Sequence, residues 1–150
     1  MSRRTRRSTS SSPFVQSIVV DAGPLVAFFK RRDRDHVRVS RFLRVNQCAL
    51  LTTWPVMAEA WHPIGYPARL AFMRWAVGGG IAVLELGPDD GSAMLLLPEK
   101  YRDRPLDLAD ASLVVLAERL GIAEILTVDR ADFDVYRLSG NRRFVQVLAA

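Results

Sequence analysis

The chain has 150 residues, 49% of them hydrophobic and 25% charged, with a formal net charge of +5. These proportions fit one globular domain, since single domains commonly run to about 100–200 residues and a core of that size folds without a disulfide or structural metal. They exclude a disulfide scaffold, because Cys48 is the only cysteine, and they exclude a zinc site of Cys/His spacing. Cys48 is expected to be a small buried side chain in a reducing compartment.

The excess charge sits at the start. Arg3, Arg4, Arg6 and Arg7 give residues 1–13 a charge of +4 with no acid, and the remainder carries 17 basic against 16 acidic residues. Residues 1–13 therefore read as a disordered basic tail, and 14–150 as a single domain of nearly neutral charge. The apolar stretch over 14–29 is interrupted by Asp21, Gly23 and Pro24 and followed at once by Lys30, Arg31 and Arg32. That is too short and too broken for a membrane span, and no small-residue cleavage site follows it, so a cytoplasmic location is expected.

A β-branched run over 16–21 reads as a short buried strand that ends in Asp21. Gly23-Pro24 then turns into a helix reaching Lys30, and 33–46 forms a second. A strand over 49–53 leads, through Thr53 as N-cap, into a helix over 55–62 closed by Pro63. A helix over 67–77 is ended by three glycines, and 81–86 is the third strand. The next helix spans 89–102, where Pro98 implies a kink or break. The spacing predicts the clearest helix over 107–120, stopped by Gly121, and then strands over 124–128 and 143–148. Strands alternating with helices argue for an α/β sandwich of three layers around a mostly parallel sheet of about five strands.

In such sheets, sites form beyond the carboxyl ends of the strands, near a switch in strand order. Asp21 closes the first strand and Asp129 follows the fourth, so both arrive at that edge. Glu59 lies early in its helix, and Asp107 and Asp110 share one side of a first helical turn. Each acid has a plain structural role open to it: Asp21 as a helix cap, Glu59 as a solvated acid or ion-pair partner, Asp107 as an N-cap, Asp110 as an acid favouring the helix dipole, Asp129 in a turn with Arg130. Asp107 is assigned that cap. The other four, at element ends on one side of one sheet, form a constellation. Clustered carboxylates repel unless protonated or neutralised, and oxygen ligands without histidine suit Mg²⁺ or Mn²⁺.

Three segments, IVVDAGPLVAFF, LDLADASLVVLAERLG and ILTVDRADFDVYR, stand in that order. Together they resemble the PIN-domain family, and within it the VapC-type toxins of bacterial toxin–antitoxin pairs. The resemblance covers residues 16–148. It implies that Asp21 and Asp110 are the principal metal ligands, that Glu59 is the helical acid after the second strand, and that Asp129, in a Thr-x-Asp pattern with Thr127, is the last acid. The family's hydroxyl residue after the first Asp is Ala22 here, which removes any hydroxyl hydrogen bond from that position. The resemblance further implies a Mg²⁺- or Mn²⁺-dependent endoribonuclease that hydrolyses RNA phosphodiesters with a metal-activated water, leaving a 5′-phosphate. It also implies a cognate antitoxin and a homodimer.

Lys100, Arg102, Arg104 and Arg130 flank the acidic motifs and are candidates to steer the RNA backbone. His36 and His62 have no partner at ligand spacing. Trp54, Trp61, Phe72 and Trp75 read as core or as a dimer surface. The alternative is a catalytically silent PIN module that binds RNA or protein. A phosphoryl-transfer domain with Asp21 as nucleophile is excluded, because position 23 is Gly where that chemistry needs a second acid.

Overall fold

A computed structural model describes residues 15–148. The basic tail lies outside the described residues. Five strands form one parallel sheet: β1 (Ser17–Val20), β2 (Ala49–Thr53), β3 (Ala82–Leu84), β4 (Glu124–Leu126) and β7 (Val145–Gln146), in the order β3-β2-β1-β4-β7. A two-residue antiparallel ladder, β5 (Arg137–Leu138) with β6 (Arg142–Arg143), stands apart from it. Helices flank the sheet. The helix α1 (Ala22–Phe29) packs on α2 (His36–Val45) and α3 (Trp54–Ile64), while α3 and α5 (Pro88–Lys100) pack on α6 (Leu108–Leu120). The remaining helices are α4 (Ala68–Trp75) and the short α7 (Arg130–Val135).

β1 sits in the middle because its residues want no water. Ile18, Val19 and Val20 are all but fully buried, as a parallel strand covered on both faces requires. From β1 the chain runs outward through β2 and β3, then crosses back to lay β4 on the other side of β1. The strand order therefore reverses between β1 and β4. The crevice at their carboxyl ends is the place where this topology leaves room for a ligand.

The crossover delivers α6 to that crevice. Residues 109–117 of α6 are buried without interruption, so this helix is wrapped on all sides and its start is fixed by packing. Asp107 caps it, accepting from Asp110 N at 2.8 Å, and Gly121 ends it in the left-handed conformation at φ 66°. Truncating Leu116→Ala, at a fully buried position, is expected to lower the unfolding free energy by about 2–5 kcal/mol in urea denaturation. A loss under about 1 kcal/mol would mean that α6 is not the central helix.

Several expected boundaries move. α5 does not break at Pro98, because the proline falls two residues before the helix ends and removes only one late hydrogen bond. Pro63 likewise lies inside α3, which runs on to Ile64. The three glycines form a single wide turn, Ala76–Gly80, after α4. The strand expected over 143–148 is split, since Arg142–Arg143 pairs with β5 and only Val145–Gln146 joins the sheet. α7 and the β5–β6 ladder were not foreseen. Cys48 is half-buried instead of enclosed. Of the aromatic residues, Phe72 is core, Trp61 and Trp75 pack against it and Trp54 is exposed. His36 has a packing role, its Nδ1 lying 2.7 Å from Ala27 O.

Candidate active site

Six acids line one pocket of about 250 Å³ at the switch point: Asp21, Glu59, Asp107, Asp110, Asp129 and Asp132. Asp21 and Asp110 are its buried floor, each 7% exposed. Glu59, Asp107 and Asp129 form an exposed rim, and Asp132 is half-buried.

Asp21 leaves the sheet at the end of β1, its own N–H still bonded to Leu126 O of β4 at 3.0 Å. Its Oδ1 accepts from Ala22 N at 2.8 Å, so the residue is also the cap of α1. Its Oδ2 accepts from the Thr127 hydroxyl at 2.9 Å, and Thr127 Oγ1 in turn accepts from Asp129 N at 3.0 Å. The Thr-x-Asp motif is thus a bracket that ties the exits of β1 and β4 together. Gly23 permits that closeness: a Cβ there would stand 2.4 Å from Val128 Cγ2.

Asp110 is held differently. Its Oδ2 accepts from the Tyr136 phenol at 2.9 Å. The helix carrying Glu59 is clamped to α6 by a buried relay, since Thr53 Oγ1 lies 2.6 Å from Ser112 Oγ and Ser112 donates to Ala109 O at 2.7 Å. Because Ser112 gives its one proton to Ala109 O, Thr53 is the donor between the two hydroxyls, and its Oγ1 still accepts from Val56 N.

The electrostatics follow from this crowding. Burial, opposed by the Ala22 and Thr127 hydrogen bonds, pushes the Asp21 carboxyl from 3.8 to about 6. Burial and the charges of Asp21 and Asp107 push Asp110 to about 7. Glu59 also rises to about 7, through desolvation and then the charges of Asp107 and Asp21. Asp129 is raised as well, by burial first and by Asp132. Among the described residues none of Asp21, Glu59, Asp107, Asp110 and Asp129 pairs with a Lys or Arg, while Asp132 is paired with Arg104.

The four acids expected from the sequence are therefore brought together, with Thr127 between two of them. Asp107 is the N-cap expected, yet it also faces the pocket, where its charge pushes the Glu59 carboxyl up. Asp132 was missed, although its signal was present. Asp129-x-x-Asp132 repeats the spacing of Asp107-x-x-Asp110, and in both the first acid accepts from the second's N–H. Of the basic candidates, Arg104 meets Asp132 and Arg130 follows Asp129, donating to Leu148 O at 3.3 Å. Arg102 pairs with Glu99 in solvent, and Lys100 lies over the Tyr101 ring and lines a different cavity with Asp90 and Glu118.

Residues 18–138 match the PIN domain family. The chain belongs to that family. It is 31% identical over 134 residues to Ribonuclease VapC26 of Mycobacterium tuberculosis, a match that spans 87% of this chain and 99% of the relative. Its PIN fold also superposes on the crystal structure of the VapC20 toxin of the same organism, which cleaves the sarcin–ricin loop. The TM-score is 0.70 and the identity 19%, covering 76% of this chain and 91% of that one. The acidic pocket lies wholly within residues 18–138 of the PIN match.

Proposed function

We propose that this PIN domain is a Mg²⁺- or Mn²⁺-dependent endoribonuclease and the toxin of a toxin–antitoxin pair, working as a homodimer held inactive by a cognate antitoxin. The observation that carries the reading is the pocket itself: six carboxylates around about 250 Å³, with Arg104 as the cation at its edge. Such a charge needs a counter-ion, and an all-oxygen donor set suits a hard divalent ion. Among the described residues no three acid, His or Cys side chains converge closely enough to hold an ion by themselves. Mg²⁺ keeps several waters and takes one or two carboxylates directly.

Asp21 and Asp110 on the floor would hold the ion, with Glu59 and Asp129 reaching it through water. A bound ion there offsets the charge of an incoming phosphodiester and lowers the pKa of an attacking water. The protein's own part is preorganisation. Thr127 and Ala22 N–H fix both oxygens of Asp21, Tyr136 fixes one of Asp110, and the Thr53–Ser112 relay holds Glu59's helix in place. Arg104 and Arg130, beside Asp132 and Asp129, are the cations best placed to meet the RNA backbone. The kinship with a VapC ribonuclease supports RNA as substrate and an antitoxin as partner. No helix of the described residues is long and apolar enough to cross a membrane.

The test is incubation of the protein with RNA in Mn²⁺, in Mg²⁺ and in excess chelator. Cleavage restricted to the metal conditions, with 5′-phosphate ends, is expected. Mn²⁺ binding without any cleavage would return the silent module, and cleavage that survives chelation would remove the mechanism.

A further inference from the structure

Tyr136 is completely buried at the end of α7, in a wall of rings. Its ring meets Tyr101 edge-on at 5.1 Å and 72°, and Phe133 at 5.3 Å and 90°; Phe133 continues the wall to Phe144 at 5.4 Å. The backbone beyond it is held too, since Arg137 N donates to the Tyr101 hydroxyl at 2.8 Å. Ring and chain are both fixed, so the phenolic oxygen has no freedom to swing away. A phenylalanine would fill the same space. Among the described residues the hydroxyl makes one hydrogen bond, to Asp110 Oδ2. A buried hydroxyl without a partner costs about 1–3 kcal/mol, so this residue is accounted for by that contact and not by packing.

The consequence for Asp110 is directional. Among the described residues no other side chain donates to this carboxylate, so Oδ2 is committed and Oδ1 is left for whatever enters the pocket. The donor is also uncharged. An Arg or Lys in this place would orient the carboxylate equally well but would repel a cation. A phenol orients it and leaves the pocket's negative charge intact.

We infer that Tyr136 is a positioning residue of the site, one that locks Asp110 by its Oδ2 so that Oδ1 is presented to a divalent cation. The inference rests on the reading of the pocket as a Mg²⁺ or Mn²⁺ site. It separates Tyr136 from its neighbour Tyr101, whose hydroxyl serves only the backbone.

Calorimetric titration with Mn²⁺ of the full-length wild type, Tyr136→Phe, Tyr101→Phe and Asp110→Asn, alongside their metal-free melts, tests it. Loss of an outer partner of a ligand typically weakens metal affinity about 10–100-fold, and Tyr136→Phe is expected at about the lower end. Tyr101→Phe should melt lower but bind Mn²⁺ as wild type does, and Asp110→Asn should not bind. Wild-type affinity in Tyr136→Phe, with binding lost in Asp110→Asn, overturns the inference and leaves the metal site standing. No Mn²⁺ binding by the wild type overturns the site reading and this inference together. Should Tyr136→Phe fail to fold, the ¹³Cζ resonance of Tyr136 in the wild type decides: it shifts as Mg²⁺ saturates, and a resonance that stays put refutes the lock.

Discussion

Asp110→Asn and Asp21→Asn are each expected to reduce Mn²⁺-dependent RNA cleavage by at least ~10²–10³-fold, the scale on which a single preorganised electrostatic group in a water-poor site acts. The two substitutions reach that result by different routes. At position 110 the amide oxygen can still accept from the Tyr136 phenol, so the side chain stays in place and only its charge is lost. At position 21 both oxygens accept, one from Ala22 N–H and the other from the Thr127 hydroxyl. An asparagine cannot accept at both, and its NH₂ must face one of those donors. If it faces Thr127, that hydroxyl has to turn while still accepting from Asp129 N. Asp21→Asn should therefore disturb the β1–β4 bracket as well as the charge, and Asp110→Asn is the cleaner probe. Gel assays at fixed Mn²⁺, with growth on induced expression as the readout in cells, measure both. Full cleavage by both variants would exclude the acidic pocket as the site of chemistry.

The parts of this molecule legible in the sequence are those where local chemistry and topology agree. Ile18-Val19-Val20 followed by an acid could only be a buried strand delivering Asp21 to an edge, and β1 does so at the centre of the sheet. Asp107 and Gly121 bracket α6 as cap and stop, which placed Asp110 in a first turn. What escaped were features decided by tertiary packing. α7 has six residues, too few for a helical period to emerge, and it is held by the Asp129 cap and the burial of Phe133. Tyr136 gave no signal, because a lone tyrosine reads first as core, and it is core; only the fold shows where its hydroxyl goes. Asp107 was placed outside the site on the assumption that a capping acid is used up. Its Oδ1 does cap, but a carboxylate has two oxygens, and the residue also lines the pocket, where its charge acts on Glu59. Lys100 follows the opposite course. It is near the acidic motif in sequence, yet the C-terminal turn of α5 carries it to another cavity.

Without metal, the same crowding should make the protein less stable as pH rises. A carboxyl whose folded pKa lies above its unfolded value binds more protons in the folded state, so stability declines as pH climbs between the two values. For Asp21 that window runs from 3.8 to about 6, and for Glu59 and Asp110 it extends to about 7. For the buried Asp21 the upward shift corresponds to about 3 kcal/mol of lost stability above the window. Asp110→Asn removes one member of this repelling set. After allowance for solvent screening and for the acid's favourable place in the first turn of α6, a net gain of about 1–2 kcal/mol remains at pH 8. That corresponds to a metal-free melting temperature raised by about 3–6 °C, and the gain should vanish near pH 4, where the wild-type acids are protonated. Added Mg²⁺ should reverse the order, stabilising the wild type by about 2.7 kcal/mol at a hundredfold excess over Kd and leaving the variant unmoved. Scanning calorimetry at pH 4 and pH 8, with and without Mg²⁺, measures all four states. A variant that melts below the wild type at pH 8 without metal would show that Asp110 serves its helix more than it burdens the pocket. The fold would then not be holding its charges in opposition for a cation to resolve.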